Sequence, residues 1–259
     1  MNPTLSSFKI WRTGRAIWLA LVLSVPLAAA DDPLAYWEQH YNEPAVQQKI
    51  LNRIFSGQIG PVSNAQRDKE SGATIFPKNG GWVKLASKPV YLPRKSGAGP
   101  FFIATCMFYN QVERGPINAT TYLVRNATDR PDAISGGYAA EEAAEAVELP
   151  KLGKTFVAIV GSFGKNNQLQ WSGSVVSIQP SGKPDSVWIT PMSARRFQFG
   201  FAQIGGKVEE LVFRYKKSGE DLQYSAYRWN GSRFEPDGFA SLSTIKALPS
   251  EVWKYGGDL

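Results

Sequence analysis

Cysteine and histidine are almost absent from this chain of 259 residues, which has one of each. One cysteine cannot form a disulfide within the chain, and zinc sites of the usual kind need several cysteine or histidine ligands. Catalysis by histidine would depend on His40 alone, and a nucleophilic Cys106 would need a general base beside it. Apolar residues flank Cys106 instead. The sequence therefore predicts no metal site and no cofactor, and it predicts Cys106 as a small residue of the core.

Acidic residues are missing from the first 30 positions. Lys9, Arg12 and Arg15 precede an apolar run at 16–27, and alanines at 28–30 provide the small residues that signal peptidases need. The run is shorter than the roughly 20 residues of a membrane-spanning helix. We expect residues 1–30 to be a cleaved signal peptide and residues 31–259 to form one exported domain, periplasmic or secreted, with no stable membrane insertion after cleavage.

The formal net charge is +7, and it falls to +4 once the three basic residues of the expected signal are removed. A surplus of this size is common on exposed surfaces and does not by itself indicate an anionic partner. Basic pairs occur in or beside predicted turns, at 94–95, 195–196 and 216–217. No nucleic-acid-binding motif accompanies them, so we expect no nucleic-acid partner.

Short apolar runs separated by turn residues predict strands along most of the chain. The clearest unit has strands at 208–215, 222–229 and 232–235, with Asn230 and Gly231 forming a type I′ turn between the last two. Phenylalanines at 197, 199 and 201 alternate with small or polar residues, which is typical of a half-buried strand. Further strands are predicted at 82–85, 90–92, 100–109, 118–125, 154–161, 169–178 and 186–190. The strand order of 154–190 resembles that of 208–235, which is consistent with an internal repeat.

Helices are predicted at both ends of the mature chain and once within it. Pro33 and Pro44 each suit the first turn of a helix, which gives a helix pair within 33–56. Residues 141–149 consist almost entirely of strong helix formers before Pro150 and predict an exposed crossover helix. The four glutamates of this segment could also meet a basic partner. The apolar residues of 240–259 predict a tail that docks as a short helix or an irregular segment.

These patterns predict a mainly β protein with its β core at 82–239. We expect antiparallel meanders that form a sandwich, an open barrel or a propeller-like domain, with a short N-terminal helix pair and peripheral helices. The connections are too short for the crossover helices of a parallel sheet.

The function expected from these features is binding to another protein. An inhibitor, or an immunity protein against an envelope-directed toxin, would combine export, charged turns and an aromatic contact surface. Tyr227 and Trp229 share a strand face with polar residues and are the candidates for that surface. The candidate binding residues are Tyr227, Trp229, Arg195, Arg196, Lys216 and Lys217.

Two alternatives remain open. A hydrolase such as a glycosidase needs only two carboxylates at the right separation. Candidates for that pair are Glu209, Glu210, Glu220, Asp221, Glu235 and Asp237. The other alternative is a structural component of an envelope assembly.

Overall fold

The computed structural model describes residues 32–68, 71–93, 99–125, 129–135, 139–164, 170–191, 196–205, 208–216, 220–257 and 259. The expected signal peptide at 1–30 and the basic pair at 94–95 lie outside these residues, as do Arg195 and Lys217. Every strand pair in the described residues is antiparallel, which confirms the predicted fold class. Within that part of the chain, no helix is long and apolar enough to cross a membrane.

Sixteen strands form three sheets in the described part of the chain. Sheet 1 contains β1 Gln66–Arg67, β2 Thr74–Lys78, β3 Gly81–Leu85, β4 Val90–Leu92, β5 Phe101–Tyr109, β6 Asn118–Val124 and β7 Asp132–Ala133. Sheet 2 contains β8 Glu141–Leu149, β9 Lys154–Phe163, β10 Gln170–Ile178 and β11 Pro184–Ile189. Sheet 3 contains β12 Arg196–Ile204, β13 Val208–Lys216, β14 Gln223–Trp229, β15 Phe234–Pro236 and β16 Tyr255–Gly256.

Among the residues that the structure describes, three short α-helices accompany the sheets: α1 Pro33–Gln39, α2 Pro44–Ile54 and α3 Leu242–Lys246. The first two confirm the predicted N-terminal pair. Val46, Ile50 and Ile54 of α2 follow one another at four-residue spacing and are buried on one face of the helix. The tail also docks as expected, although the pairing of β16 with β12 has no signal in the sequence.

Sheet 2 is the central layer of the core. Val157 and Ile159 of β9 pack against sheet 1, together with Ile103 and Leu123 of that sheet. The intervening residues of β9 point to the opposite face and pack against three phenylalanines of sheet 3, Phe197, Phe199 and Phe213. A strand with neighbours on both faces needs apolar side chains in both directions, which is why β9 reads as a continuous apolar run.

The outer faces of the stack are covered by helices. α1 and α2 pack on the free face of sheet 1, around Phe102 and Cys106. α3 and the segment that carries Trp253 pack on the free face of sheet 3, around Val212. The described residues thus form a helix–sheet–sheet–sheet–helix sandwich.

The helix predicted at 141–149 is wrong, because this segment is β8. It pairs with β9 along its whole length, from Glu141 opposite Ser162 to Leu149 opposite Lys154. Helix propensity differs by at most about 0.7 kcal/mol per ordinary residue. The nine-residue pairing, the burial of Leu149 and the contact of Ala144 with sheet 1 outweigh that preference.

The type I′ turn predicted at Asn230 and Gly231 is also wrong. Trp229 pairs with Phe234, so four residues connect β14 to β15. Gly231 has a φ of +107°, but Asn230 does not have the positive φ that a type I′ turn requires. The Asn230 side-chain carbonyl instead accepts hydrogen bonds from the backbone N–H groups of Ser232 and Arg233, at 2.9 Å each.

The other predicted strands are confirmed to within two residues at each end. The two similar units, β9–β11 and β13–β15, belong to separate sheets. An internal repeat stays a prediction.

Candidate functional site

Three hollows lie in a row along β8, at the edge of sheet 2. Their volumes are about 320, 400 and 410 Å³, and they contact residues 141–143, 143–145 and 147–149 of β8 in turn. The first two share Val160 and Trp171 as walls, and the last two share Lys254 and Tyr255. The hollows therefore form one elongated depression, which we call the β8 groove.

The groove runs beside an unpartnered strand edge. In the described part of the chain, β8 pairs only with β9, and its nine residues make it the longest strand at a sheet edge. In an antiparallel strand, alternate residues direct their N–H and C=O groups away from the neighbour. The outer edge of β8 thus presents a row of backbone donors and acceptors along about 30 Å of groove.

The walls of the groove come from the layers on either side of sheet 2. Lys84, Ala86 and Met107 belong to sheet 1 or its loops and line the first hollow. Phe201 of sheet 3 and Val252 of the C-terminal segment line the third. Trp171, Tyr255 and Phe201 are half-buried, so each shows part of its ring to the groove. The depression is therefore apolar along its walls, with polar groups between the apolar side chains.

The charge of the groove is negative. Its walls contain six glutamates and three lysines. The glutamates are Glu141, Glu142, Glu145, Glu148, Glu209 and Glu251. Each lysine forms an ion pair with a carboxylate: Lys84 with Asp68, Lys88 with Glu38 and Lys254 with Glu145. The excess of acidic groups stands out in a chain whose formal net charge is +7.

Glu142 differs from the other glutamates of the groove because it is buried, at 9 % exposure. Its carboxylate accepts a hydrogen bond from Thr121 Oγ1, and Thr121 Oγ1 lies 2.9 Å from Thr105 Oγ1. Burial raises the pKa of Glu142, although hydrogen bonds from Thr121 and Ser135 oppose the shift. The pKa rises because desolvation has the larger effect.

Lys84 is the buried cation of the groove, at 7 % exposure. Its ammonium donates to Asp68 Oδ2 at 2.6 Å. Burial lowers the pKa of Lys84, but hydrogen bonds to Asp68 and Tyr109 outweigh that effect and raise the pKa above its usual value. Lys84 is thus held as a cation by Asp68, so it leaves no net positive charge in this wall.

The predicted aromatic surface of Tyr227 and Trp229 faces the interior. Both side chains are half-buried and belong to the cluster between sheets 2 and 3. The ring of Tyr227 lies 5.7 Å from that of Trp188, and the ring of Trp229 lies 5.2 Å from that of Phe156. These contacts give both rings a packing role, while their role in binding stays a prediction.

Two of the predicted basic residues lie side by side. Arg196 and Lys216 are exposed and stand directly opposite each other on β12 and β13. Tyr227 pairs with Leu211, several residues along β13 from Lys216. The structure therefore brings Arg196 and Lys216 together but does not join them to the two aromatic residues.

The predicted carboxylates include one pair that the structure brings together. Arg228 donates to Glu210 Oε1 at 3.0 Å and to Asp237 Oδ2 at 2.8 Å. The side chains of Glu210 and Asp237 are 0 % and 3 % exposed, and burial together with the charge of Asp237 raises the pKa of Glu210. This cluster joins β13, β14 and the residue after β15. Its carboxylates have almost no surface with which to contact a substrate.

Two further predicted carboxylates and the two rare residues have structural contacts. Glu209 accepts a hydrogen bond from the Lys151 backbone N–H, and Glu235 pairs with Arg233. His40 lies 2.8 Å from Glu43, and Cys106 is buried, as predicted. Burial raises the pKa of the Cys106 thiol. The described residues contain no group of three or more side chains that could hold a metal ion.

Sequence reasoning missed the β8 groove because it assigned 141–149 to a helix. The signal that remained visible was the density of glutamates in that segment, which suggested a basic partner. The position of the groove beside an open strand edge could not be predicted in this way, because it depends on contacts between distant segments of the chain.

Comparison with known proteins gives this chain no match among protein families, curated proteins or solved structures.

Proposed function

We propose that this chain is an exported protein that acts by binding another protein, and that the β8 groove receives a positively charged segment of that partner. The observation that carries the proposal is the negative charge of a long groove in a basic protein. An inhibitor or an immunity protein against an envelope-directed toxin would use such a groove to cover a basic part of its target.

The dimensions of the groove support a peptide segment rather than a compact molecule. Three hollows of about 320 to 410 Å³ follow one another along a nine-residue strand. A compact ligand would occupy one hollow, whereas an extended segment of similar length to β8 would contact all three. Apolar walls between charged groups resemble the mixture of apolar centre and polar rim that is typical of protein interfaces.

The charges support a basic partner. Glu141 and Glu251 are exposed, and within the described residues neither forms an ion pair. Opposite charge on a partner would increase the rate of association and select against acidic partners. Because these glutamates are exposed to solvent, salt would weaken their contribution.

Hydrolysis by a carboxylate pair receives less support. Glu210 and Asp237 are the one pair among the six predicted carboxylates that the described structure joins, and both side chains are buried beside Arg228. A general acid must come within hydrogen-bond distance of the substrate oxygen. The buried positions favour a structural role for this pair.

The proposal is tested with a fluorescein-labelled peptide of nine alternating lysine and valine residues and the full chain, by fluorescence anisotropy at low and moderate salt. The groove variant is Glu141→Lys/Glu251→Lys. The matched control is Glu113→Lys/Asp185→Lys, which makes the same charge change at two exposed sites outside the groove. Asp185 lies on β11, at the opposite edge of sheet 2.

We expect the groove variant to bind the peptide about tenfold more weakly than the unchanged chain, and the control to bind it within about twofold. Affinity of the unchanged chain should fall as salt rises. Equal binding by the groove variant and the control would contradict the proposal, as would equal affinity for a peptide in which glutamate replaces lysine.

A further inference from the structure

We infer that the partner segment binds as an additional β-strand, hydrogen-bonded to the outer edge of β8 and extending sheet 2 by one strand. This inference rests on the proposed function, because it states how the basic segment lies in the groove. It concerns the backbone of the partner as well as its charge.

The layers of the fold leave a slot of the right shape for a strand. Stacked sheets lie about 10 Å apart, so sheets 1 and 3 are separated by about two such spacings, with sheet 2 between them. Sheet 2 ends at β8, while residues of sheet 1 and of the sheet 3 side line the hollows beside it. An added strand would continue the plane of sheet 2 between these two walls.

The backbone of β8 provides the donors and acceptors for that strand. Exposed edges of this kind pair readily with an extended chain, which gives affinity through backbone hydrogen bonds and specificity through alternate side chains. Neighbouring strands lie about 4.8 Å apart, so a strand beside β8 would fill the part of the hollows that adjoins its outer edge.

The side chains around the slot define the sequence of the partner segment. Glu141 and Glu145 share the face of β8 that is turned toward sheet 3 and favour lysine or arginine on that face of the added strand, since opposite charges across a strand pair are stabilising. Ala144 and Ala146 lie on the other face of β8 and favour aliphatic side chains on that face of the added strand. The segment is therefore extended, about nine residues long, and alternates between basic and aliphatic residues.

A second copy of this chain fits the slot less well. Pairing β8 with β8 would place the glutamates of one strand beside those of the other, and like charges across a strand pair are destabilising. The negative charge of this edge thus disfavours self-association while it favours a basic partner.

The test is amide hydrogen exchange, resolved by residue with NMR, on the full chain with and without the lysine–valine peptide. We expect alternate amides within 141–149 to exchange at least tenfold more slowly in the complex, while amides of β11 at the opposite edge of sheet 2 keep their rates. Sedimentation of the free chain at the same concentrations reports whether β8 is already paired with a second copy.

The possible results separate the two proposals. Peptide binding that depends on Glu141 and Glu251 but leaves exchange within 141–149 unchanged would overturn strand addition and leave the proposed function standing. Absence of peptide binding would overturn both. A dimer of the free chain with β8 amides already protected would also overturn this inference, because the occupant of the edge would then be a second copy.

Discussion

Glu142 places a carboxyl group between β8 and sheet 1, where it is buried from water. The hydrogen bond from Thr121 Oγ1 favours the charged form, but burial has the larger effect and raises the pKa of Glu142. At the scale of the residue, the charge of this one glutamate therefore opposes the docking of β8. The neighbouring Glu141 is exposed to solvent.

We predict that Glu142→Gln stabilises the protein at neutral pH by on the order of 1 kcal/mol, because glutamine keeps a carbonyl acceptor for Thr121 without the buried charge. The raised pKa means that the folded state holds its proton to a higher pH than the unfolded state. The stability of the unchanged protein thus falls as the pH rises from the unfolded value towards the folded one. Glu142→Gln removes that dependence.

Urea unfolding at pH 4 and pH 7 measures the difference. The advantage of the glutamine variant should be present at pH 7 and should shrink at pH 4. Glu141→Gln, which changes an exposed neighbour, is the control and should alter stability by no more than about 0.5 kcal/mol at either pH. A glutamine variant that is less stable than the unchanged protein at pH 7 would show that the charge of Glu142 is stabilised where it lies.

At the scale of the element, local pattern was sufficient for most strands and failed for β8. The alternation of Phe197, Phe199 and Phe201 predicted β12 because the rings lie on the face that packs against sheet 2, whereas small or polar residues occupy most of the other face. β8 is built from alanine and glutamate, whose intrinsic preference is helical. Its strand conformation comes from β9 and sheet 1, which are distant in sequence, and no local signal contains that information.

The groove was unpredictable for the same reason. Its walls combine Lys84, Trp171 and Lys254 from three separate regions of the chain. The acidic character of 141–149 was readable from the sequence, but its position at an open sheet edge was not. Trp229 was predicted to lie on a contact surface because its neighbours on the strand are polar. Those neighbours do not reveal that sheet 2 packs against the Trp229 ring.

The C-terminal segment docks on sheet 3 because Gly200 allows its backbone to approach β12. A Cβ atom at this position would collide with the carbonyl oxygen of Val252. The same segment brings Trp253 onto sheet 3, where the Arg214 guanidinium lies 4.5 Å from its ring, and places Lys254 and Tyr255 in the groove.

We predict that Gly200→Ala displaces this segment and destabilises the protein by about 2 kcal/mol or more, because the buried Trp253 loses its contacts. Limited proteolysis followed by mass spectrometry should show faster cleavage after residue 246 in the variant. Gly238→Ala is the matched control, since a Cβ atom there meets no neighbour within 4 Å. Equal cleavage of both variants would show that the segment adjusts to the added methyl group.

At the scale of the whole molecule, the layers depend on one another through sheet 2. Without sheet 1, Val157 and Ile159 of β9 would face water, and without sheet 3, Phe156 would do so. Each such side chain contributes roughly 1.5–3 kcal/mol when it is fully buried. Loss of either outer sheet thus removes the contacts on one whole face of the central one.

We therefore predict that the described domain unfolds as one cooperative unit. Cys106 reports on the layer between sheet 1 and the N-terminal helices, and the amides of β13 report on sheet 3, at the opposite end of the stack. Pulsed thiol labelling and pulsed hydrogen exchange in urea, read together by mass spectrometry, should give midpoints that agree within about 0.2 M. If Cys106 were labelled at urea concentrations where β13 is still protected, sheet 1 and its helices would unfold separately. The contacts of Val157 and Ile159 would then be too few to couple the layers.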